Sequence, residues 1–319
     1  MTTTTTTTPA LAVAGLHHIT GFAKDPRENV TFYRDVLGLR LVKVSVNQDD
    51  PTTYHLYYGD YAGNPGTAIT FFPWQNVARR RPGNREAGSV AYSVPIGSLA
   101  FWRTHLEGHG VSTFAEETRF GETVLRFEAP IGGEIELVET TTTLPTTPWP
   151  ESPVPVEHQI QGFHSTTIFH RDPAVTAQVL TDVLGYREIA HEDSRTRYAV
   201  GEGQPNEVID LVADPTALDH RPGAGTIHHI AFRARTVEEH VALREQVAAA
   251  GFHITPVIDL FYFNAVYFRE PGGVLFEIAS DPPGFTADEP LESLGSALML
   301  PPFLESERAR IEAALPSLT

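Results

Sequence analysis

The chain has 319 residues, a formal net charge of -17 and no cysteine. This length is sufficient for two domains with separate cores, and the absence of cysteine excludes disulfides, thiolate ligands and cysteine nucleophiles. Because the negative charge repels phosphate groups, we expect no nucleic-acid partner and no membrane association. The sequence contains no apolar run long enough to span a bilayer and no signal-peptide pattern, and we expect a cytoplasmic protein.

The first 12 residues contain a run of threonines and have the composition of a disordered lead. A repeat follows: "DVLG" occurs at residues 35–38 and at 182–185. Each copy lies at the same distance after the glycine of a strand-like segment, "GLHHIT" at 15–20 or "GFHSTT" at 162–167. Matched spacing indicates an internal structural repeat.

The first copy predicts a strand, a helix and three further strands. "LHHITGFA" alternates like a strand, and "DPRENVTFYRDVLG" has an Asp-Pro start, helical spacing of apolar residues and a closing glycine. Three strand patterns follow, separated by turn residues. The same order can be traced from Gly88, Gly162 and Gly225. We therefore predict an α+β fold of four βαβββ modules.

A segment rich in threonine and proline, "ETTTTLPTTPWPESPVPVEH", separates the second module from the third. Such a composition favours neither helix nor central strand. We predict an N-terminal domain over 13–142, a linker over 143–160, a C-terminal domain over 161–281 and a tail over 282–319. The tail contains one predicted helix, and we expect it on the outside of the second half.

Two adjacent histidines occur on the first strands of modules one and four. When the modules are aligned, His18 matches His229, while His17 matches His164 and His228. Since neighbouring side chains on a strand point to opposite faces, only one histidine of each pair is expected inside a cupped sheet. We favour His18 and His229 as metal ligands that converge if modules one and four pair. Ordinary buried histidines remain the alternative.

Glu277 is a third candidate ligand, because it stands alone among apolar residues in "PGGVLFEIAS". A buried carboxylate without a partner is costly, and a metal would relieve that cost. An arginine partner or exposure at the sheet edge would relieve it too. Two histidines with one carboxylate are typical of non-haem iron(II) oxygenases.

These segments, with "YHLYYGD", "GTAITFFP" and "VYFREPGGVLFEIA", together resemble the vicinal oxygen chelate superfamily. More narrowly, they resemble its ring-cleaving dioxygenases, which open hydroquinones and catechols. The resemblance extends from residue 16 to about 301 and implies two domains with cupped mixed sheets. It implies iron(II), or alternatively manganese(II), held by His18, His229 and Glu277. A small aromatic substrate and O2 are the implied partners, and the sequence is also compatible with a homo-oligomer.

The resemblance also implies roles around the metal for Thr20, His228 and Tyr267, with Tyr267 beside the substrate. Strand alternation turns His228 away from His229, so we expect its role to be indirect unless local twist brings it round. Leu260 stands where relatives often have an arginine near the substrate. This departure leaves the identity of the aromatic substrate open.

Three alternatives remain. A glyoxalase-type isomerase would need a second carboxylate, and Glu136 is the only comparable one in the first half. A non-catalytic ligand-binding protein would need no metal. Within the dioxygenase hypothesis, His164 could replace His18, although Ser165 occupies the ligand position of module three. We interpret the remaining histidines as structural or solvated; His55 is the least certain, since its strand is a candidate to line the same cup.

Overall fold

The computed structural model describes residues 11–142 and 144–318, so residues 1–10 of the predicted lead lie outside the described residues. The four predicted βαβββ modules are confirmed in chain order. The first comprises β1 (Leu16–Ala23), α1 (Pro26–Val30), β2 (Arg40–Val46), β3 (Tyr54–Gly59) and β4 (Ala68–Pro73). The second comprises β5 (Glu86–Pro95), α2 (Leu99–Gly108), β6 (Glu117–Arg119), β7 (Glu122–Glu128) and β8 (Glu134–Thr140).

The second half of the chain repeats this order. The third module comprises β9 (Phe163–His170), α3 (Ala174–Asp182), β10 (Arg187–Glu192), β11 (Arg195–Ala199) and β12 (Val208–Ala213). The fourth comprises β13 (Ile227–Ala234), α4 (Val237–Ala249), β14 (Ile258–Asp259), β15 (Phe263–Arg269) and β16 (Leu275–Pro283). A final helix, α5, spans Arg308–Ala314. Within the described ranges, no helix has the length and apolar character to cross a membrane.

The modules pair across the halves of the chain in two curled, mixed sheets of eight strands. The first sheet has the order β14-β15-β16-β13-β1-β4-β3-β2 and joins modules one and four through antiparallel β1 and β13. The second has the order β10-β11-β12-β9-β5-β8-β7-β6 and joins modules two and three. Each sheet thus combines one module from either side of the predicted linker, and the domain boundaries stay a prediction.

The first helix begins at the Asp-Pro start that the sequence predicts. The Asp25 side chain accepts hydrogen bonds from the backbone N–H groups of Arg27 and Glu28, and Pro26 occupies the first turn. The helix continues into a π-helical turn over Thr31–Val36. Gly38 then adopts a positive φ of 71°, which an L side chain rarely tolerates, and the chain turns into β2.

Alternation along the strands divides side chains between two faces of the first sheet. On β13, Ile230 and Phe232 are fully buried in the main hydrophobic core. Ala231, between them, belongs to a smaller cluster with Tyr57 and Phe263 on the opposite face. The opposite face is therefore also sheltered from water, and it carries the candidate site.

The tail packs on the first module, so the expectation that it lies outside the second half was wrong. Leu298 forms a bridge to Val44 of β2, which is the edge strand of its sheet. Lys43 is fully buried and donates hydrogen bonds to the carboxylates of Asp288 and Glu289. An edge strand presents unpaired backbone groups, and the tail covers this one.

Candidate metal centre

Three buried side chains from neighbouring strands converge on the inner face of the first sheet. The Nε2 atoms of His18 and His229 lie 3.3 Å apart. Oε2 of Glu277 lies 3.4 Å from His18 Nε2 and 2.9 Å from His229 Nε2. This is the group that could hold a metal ion among the described residues.

Strand register brings the three side chains together. In the antiparallel pairing of β1 with β13, Thr20 stands opposite His229, and in the parallel pairing of β13 with β16, Ala231 stands opposite Glu277. Paired strands lie about 4.8 Å apart, so side chains on the same face of three adjacent strands can reach one point. The pairing of modules one and four is thus what assembles the site.

His17 and His228 are the extra residues of two β-bulges. The register between β1 and β13 skips His17 on one strand and His228 on the other. As a result the Nδ1 atoms of His17 and His18 lie 2.9 Å apart, and those of His228 and His229 also lie 2.9 Å apart. Regular alternation would turn each neighbouring histidine away, but a bulge re-aims the side chain it displaces. The exception allowed for His228 therefore applies, and His228 comes round to the cavity wall.

The donor set fits a divalent metal ion. Glu277 is fully buried, and among the described residues its carboxylate pairs with the imidazoles of His18 and His229 and with no lysine or arginine. Metal bonds to imidazole nitrogen and carboxylate oxygen are about 2.1 Å long, so ligands at right angles lie about 3.0 Å apart. The observed separations of 2.9, 3.3 and 3.4 Å are close to that value. Two imidazoles and one carboxylate on one side leave further coordination positions open.

The electrostatic environment favours an unprotonated His229 and an ionised Glu277. Burial lowers the pKa of His229, although the negative charge of Glu277 acts to raise it. Burial acts to raise the pKa of Glu277, but the imidazoles of His18 and His229 outweigh it and hold that pKa well below its usual range. Neutral imidazoles and an ionised carboxylate are the forms that bind metals.

A cavity of about 530 Å³ lies beside the three side chains. His228, Tyr267 and Leu260 line it together with His18 and His229, as expected for groups that act on a substrate. Much of the remaining wall is apolar or aromatic: Phe22, Phe72, Trp74, Ile258, Phe261 and Phe263. Such a cavity suits an aromatic ligand.

The predicted residues around the metal differ in their placement. Tyr267 stands opposite Glu277 in the pairing of β15 with β16, and its ring centroid lies 5.5 Å from that of His229. Burial, followed by the charge of Glu277, raises the pKa of Tyr267 well above its usual value. Burial and the neighbouring His229 lower the pKa of His228 to about 3. Thr20 is fully buried and outside the cavity lining.

Two further residues of β3 line the cavity: His55, the least certain of the histidines interpreted as structural or solvated, and Tyr57, which the sequence analysis did not single out. His55 and Tyr57 both line the cavity, and the Tyr57 hydroxyl lies 2.7 Å from His55 Nδ1. His55 Nε2 lies 2.9 Å from Thr70 Oγ1, which lies 2.8 Å from Thr20 Oγ1. The period of two along "YHLYYG" places 55 and 57 on one face, and this signal could have identified them.

The second sheet shows why the repeat yields one candidate metal centre among the described residues. Ser165 stands at the ligand position, and His164 Nε2 lies 2.9 Å from a carboxylate oxygen of Glu122. Glu136, the counterpart of Glu277, accepts a hydrogen bond of 2.8 Å from Arg119. A guanidinium thus neutralises the buried carboxylate here. His164 therefore does not join His229 and Glu277 as a ligand candidate. The candidate metal site among the described residues also contains one carboxylate, whereas a glyoxalase-type isomerase is expected to have two.

The chain belongs to the Glyoxalase/Bleomycin resistance protein/Dioxygenase superfamily, whose family model matches residues 15–137 and 162–278. The family resemblance seen in the sequence is therefore confirmed. Among curated proteins, the chain is 44% identical over 301 residues to the Bacillus subtilis (strain 168) protein named "Putative ring-cleaving dioxygenase MhqO". That alignment covers 94% of this chain and 95% of the relative.

A second relative is the chlorohydroquinone/hydroquinone 1,2-dioxygenase of Sphingobium indicum, with 36% identity, 92% coverage of this chain and 93% of the relative. Among solved structures, a Bacillus subtilis protein described as a "putative dioxygenase" superposes with a TM-score of 0.92 at 42% identity. The match covers 97% of this chain and 99% of that one. Glyoxalase I from Zea mays shares the fold, with a TM-score of 0.62 and 13% identity. That match covers 84% of this chain and 92% of the glyoxalase chain.

Proposed function

We propose that this protein is a ring-cleaving dioxygenase that opens the ring of a hydroquinone and inserts both atoms of O2. The observation that carries the proposal is the buried triangle of His18, His229 and Glu277 beside an aromatic-walled cavity. The name of the Sphingobium indicum relative, a chlorohydroquinone/hydroquinone 1,2-dioxygenase, favours a hydroquinone over a catechol. Extradiol-type cleavage of a catechol is the alternative for the same site.

The donors of His18, His229 and Glu277 would hold iron(II), with manganese(II) as the second choice, because this ligand set suits both. When bound, iron(II) supplies the one-electron chemistry that allows O2 to react with an electron-rich ring. One carboxylate neutralises only part of a divalent charge. With the ion bound, the site would keep a net positive charge, which favours an ionised hydroxyl of the substrate.

The paired histidines fix the ligand tautomers. If Nδ1–H of His229 donates to Nδ1 of His228, then His229 presents its Nε2 lone pair to the metal. His228 must then carry its own proton on Nε2, at the cavity wall. His228 is thus a hydrogen-bond donor to the substrate or O2, and the neutral phenol of Tyr267 is a second proton donor.

The remaining cavity residues orient the ring and exclude water. The rings of Phe22 and Trp74 stack with centroids 4.8 Å apart, and they offer an aromatic wall to a substrate ring. Thr20 contributes as a positioning residue, since its hydroxyl reaches the cavity through Thr70 and His55. These contacts hold the ring in one orientation beside the metal ligands.

The test is oxygen incorporation by protein loaded anaerobically with iron(II) or manganese(II). With hydroquinone and 18O2, we expect one O2 consumed per ring opened and both labelled atoms in the product by mass spectrometry. Glu277→Gln should abolish turnover, whereas Glu107→Gln, at an exposed site on α2, should not. Oxidation to the quinone without ring opening, or no oxygen uptake by the loaded protein, would contradict the proposal.

A further inference from the structure

A chain of four hydrogen-bonded side chains runs from the buried face of the first sheet to the cavity wall. Thr20 Oγ1 lies 2.8 Å from Thr70 Oγ1, which lies 2.9 Å from His55 Nε2. The Tyr57 hydroxyl lies 2.7 Å from His55 Nδ1. The histidine and the tyrosine line the cavity, whereas the two threonines are fully buried and outside its lining.

We propose that Tyr57 is a substrate-binding residue that donates a hydrogen bond to the second oxygen of the hydroquinone. The three side chains behind it set the direction of that bond, so His55, Thr70 and Thr20 are positioning residues. The inference rests on the proposed function and assigns a role to residues on the side of the cavity away from Tyr267.

The buried end of the chain sets the direction of its hydrogen bonds. Among the described residues, the Thr20 hydroxyl has one hydrogen-bond partner, Thr70 Oγ1. If Thr70 donated to Thr20, the proton of the Thr20 hydroxyl would be buried without an acceptor, which is costly. Thr20 therefore donates to Thr70, and Thr70 in turn donates to His55 Nε2.

His55 transmits this direction, because a neutral imidazole carries one N–H group. Burial holds the pKa of His55 well below its usual value, so the ring is neutral. With Nε2 accepting from Thr70, the proton lies on Nδ1, which donates to the Tyr57 oxygen. The rings of Tyr57 and Phe72, with centroids 4.0 and 4.3 Å from that of His55, pack against the imidazole and hold it in this orientation.

Tyr57 is left with a proton to donate. Burial, followed by the charge of Glu277, raises the pKa of Tyr57 well above its usual value, so the phenol stays protonated. Its one hydrogen-bond partner in the described part of the chain, His55, is already a donor to it. The O–H group is therefore free to bond to a ligand in the cavity, and the bond received from His55 strengthens it as a donor.

The position of β3 in the sheet favours one atom of the ligand. The candidate metal ligands lie on β1, β13 and β16, and β4 separates β3 from β1. Because paired strands lie about 4.8 Å apart, Tyr57 enters the cavity away from the metal ligands, whereas Tyr267 stands opposite Glu277. A hydroquinone held by one hydroxyl at the metal ligands directs its second hydroxyl away from them, across the ring. A hydrogen bond from Tyr57 to that oxygen would orient the ring and stabilise negative charge on it.

The first test uses two phenols of nearly the same shape, 4-methoxyphenol and 4-ethylphenol. The methoxy oxygen can accept a hydrogen bond but cannot donate one, and the ethyl group can do neither. By calorimetry on anaerobic, metal-loaded protein, we expect the wild type to bind 4-methoxyphenol about tenfold more tightly than 4-ethylphenol. Tyr57→Phe should bind the two alike. Tyr61→Phe, whose ring packs on Arg40 outside the cavity lining, should keep the wild-type ratio.

Two results would overturn the inference. One is equal binding of the two phenols by the wild type, which would mean that no donor reaches the second oxygen. The other is a wild-type ratio in Tyr57→Phe, which would assign the donor to another residue.

Variants of Thr70 test the chain behind Tyr57. Thr70→Val keeps the shape of the side chain but removes its hydroxyl, so His55 can take either tautomer and the ratio should fall about twofold or more. Thr70→Ser keeps a hydroxyl and should keep the wild-type ratio. A change in packing alone would weaken both phenols alike and leave the ratio unchanged. An unchanged ratio in Thr70→Val would therefore overturn the positioning role of the buried side chains.

The two proposals fail separately. If hydroquinone is opened but the wild type binds the two phenols alike, only the role of Tyr57 fails. If no hydroquinone is opened while the preference for 4-methoxyphenol depends on Tyr57, the dioxygenase activity fails and the hydrogen bond stands. Binding of neither phenol would overturn the inference as well.

Discussion

The Nδ1 atoms of His17 and His18 lie 2.9 Å apart, although the two residues are neighbours on one strand. The Nδ1 atoms of His228 and His229 repeat this relationship at the same distance. In each pair, a bulge lets the first histidine engage the ring of the second, whose Nε2 faces Glu277. A metal-bound histidine needs a partner for its other nitrogen, so each pair would supply a ligand together with that partner.

His17→Ala should therefore weaken metal binding about 10- to 100-fold, because it removes the partner of His18 Nδ1. The affinity can be measured by competition with a chelator. His164→Ala is the matched control, since His164 is equally buried but lies in the second sheet with Glu122. An affinity of His17→Ala equal to that of the wild type would show that the histidine pair has no role in holding the metal.

Tyr267→Phe should lower kcat about 100-fold, because the phenol is a proton donor beside the ligands. Metal content and KM should change little, since the ring remains in place. Steady-state kinetics with a hydroquinone separates the two parameters. Tyr61→Phe, whose ring packs on Arg40 outside the cavity lining, should behave like the wild type. A normal kcat in Tyr267→Phe would exclude this role.

The lowered pKa of Glu122 predicts how the free energy of unfolding depends on pH. Burial acts to raise its pKa, but hydrogen bonds from His164 and Arg197 outweigh burial and lower the pKa from 4.5 to about 2. Because the folded-state pKa is the lower one, its contribution to stability is present above about pH 4.5 and disappears as the pH falls toward 2. After allowance for partial exposure, the contribution is about 2 kcal/mol at neutral pH.

Denaturant unfolding at a series of pH values tests this. The free energy of unfolding of Glu122→Gln should lie below that of the wild type at neutral pH, and the difference should shrink below about pH 4.5. Glu128→Gln, at an exposed pair with Arg79, should show little difference at any pH. A difference for Glu122→Gln that stays constant down to acid pH would contradict the account.

Much of the fold and of the candidate metal centre follows from the repeat in the sequence. Spacing of "DVLG" and the strand patterns predicts four βαβββ modules, and the structure has them. Alignment of the modules selects His18 and His229 over their neighbours. Glu277 was identified because an isolated carboxylate in an apolar strand needs a partner. These signals are local, or repeat at a fixed spacing, so the sequence alone reveals them.

Other features depend on which distant segments meet, and no local pattern encodes that. The bulges at His17 and His228 exist only in the register between β1 and β13. Lys43 looks like an ordinary strand residue until the tail brings Asp288 and Glu289 to it. His55 stayed uncertain because its role depends on which face of β3 borders the cavity.

Metal content is the most direct test of the central claim that His18, His229 and Glu277 hold a metal ion. Plasma emission spectroscopy would be applied to wild-type protein, His229→Ala and the control His164→Ala, all purified anaerobically without chelators. We predict about one iron or manganese ion per chain in the wild type and the control, and none in His229→Ala. A wild type without metal, or undiminished metal in His229→Ala, would contradict the account.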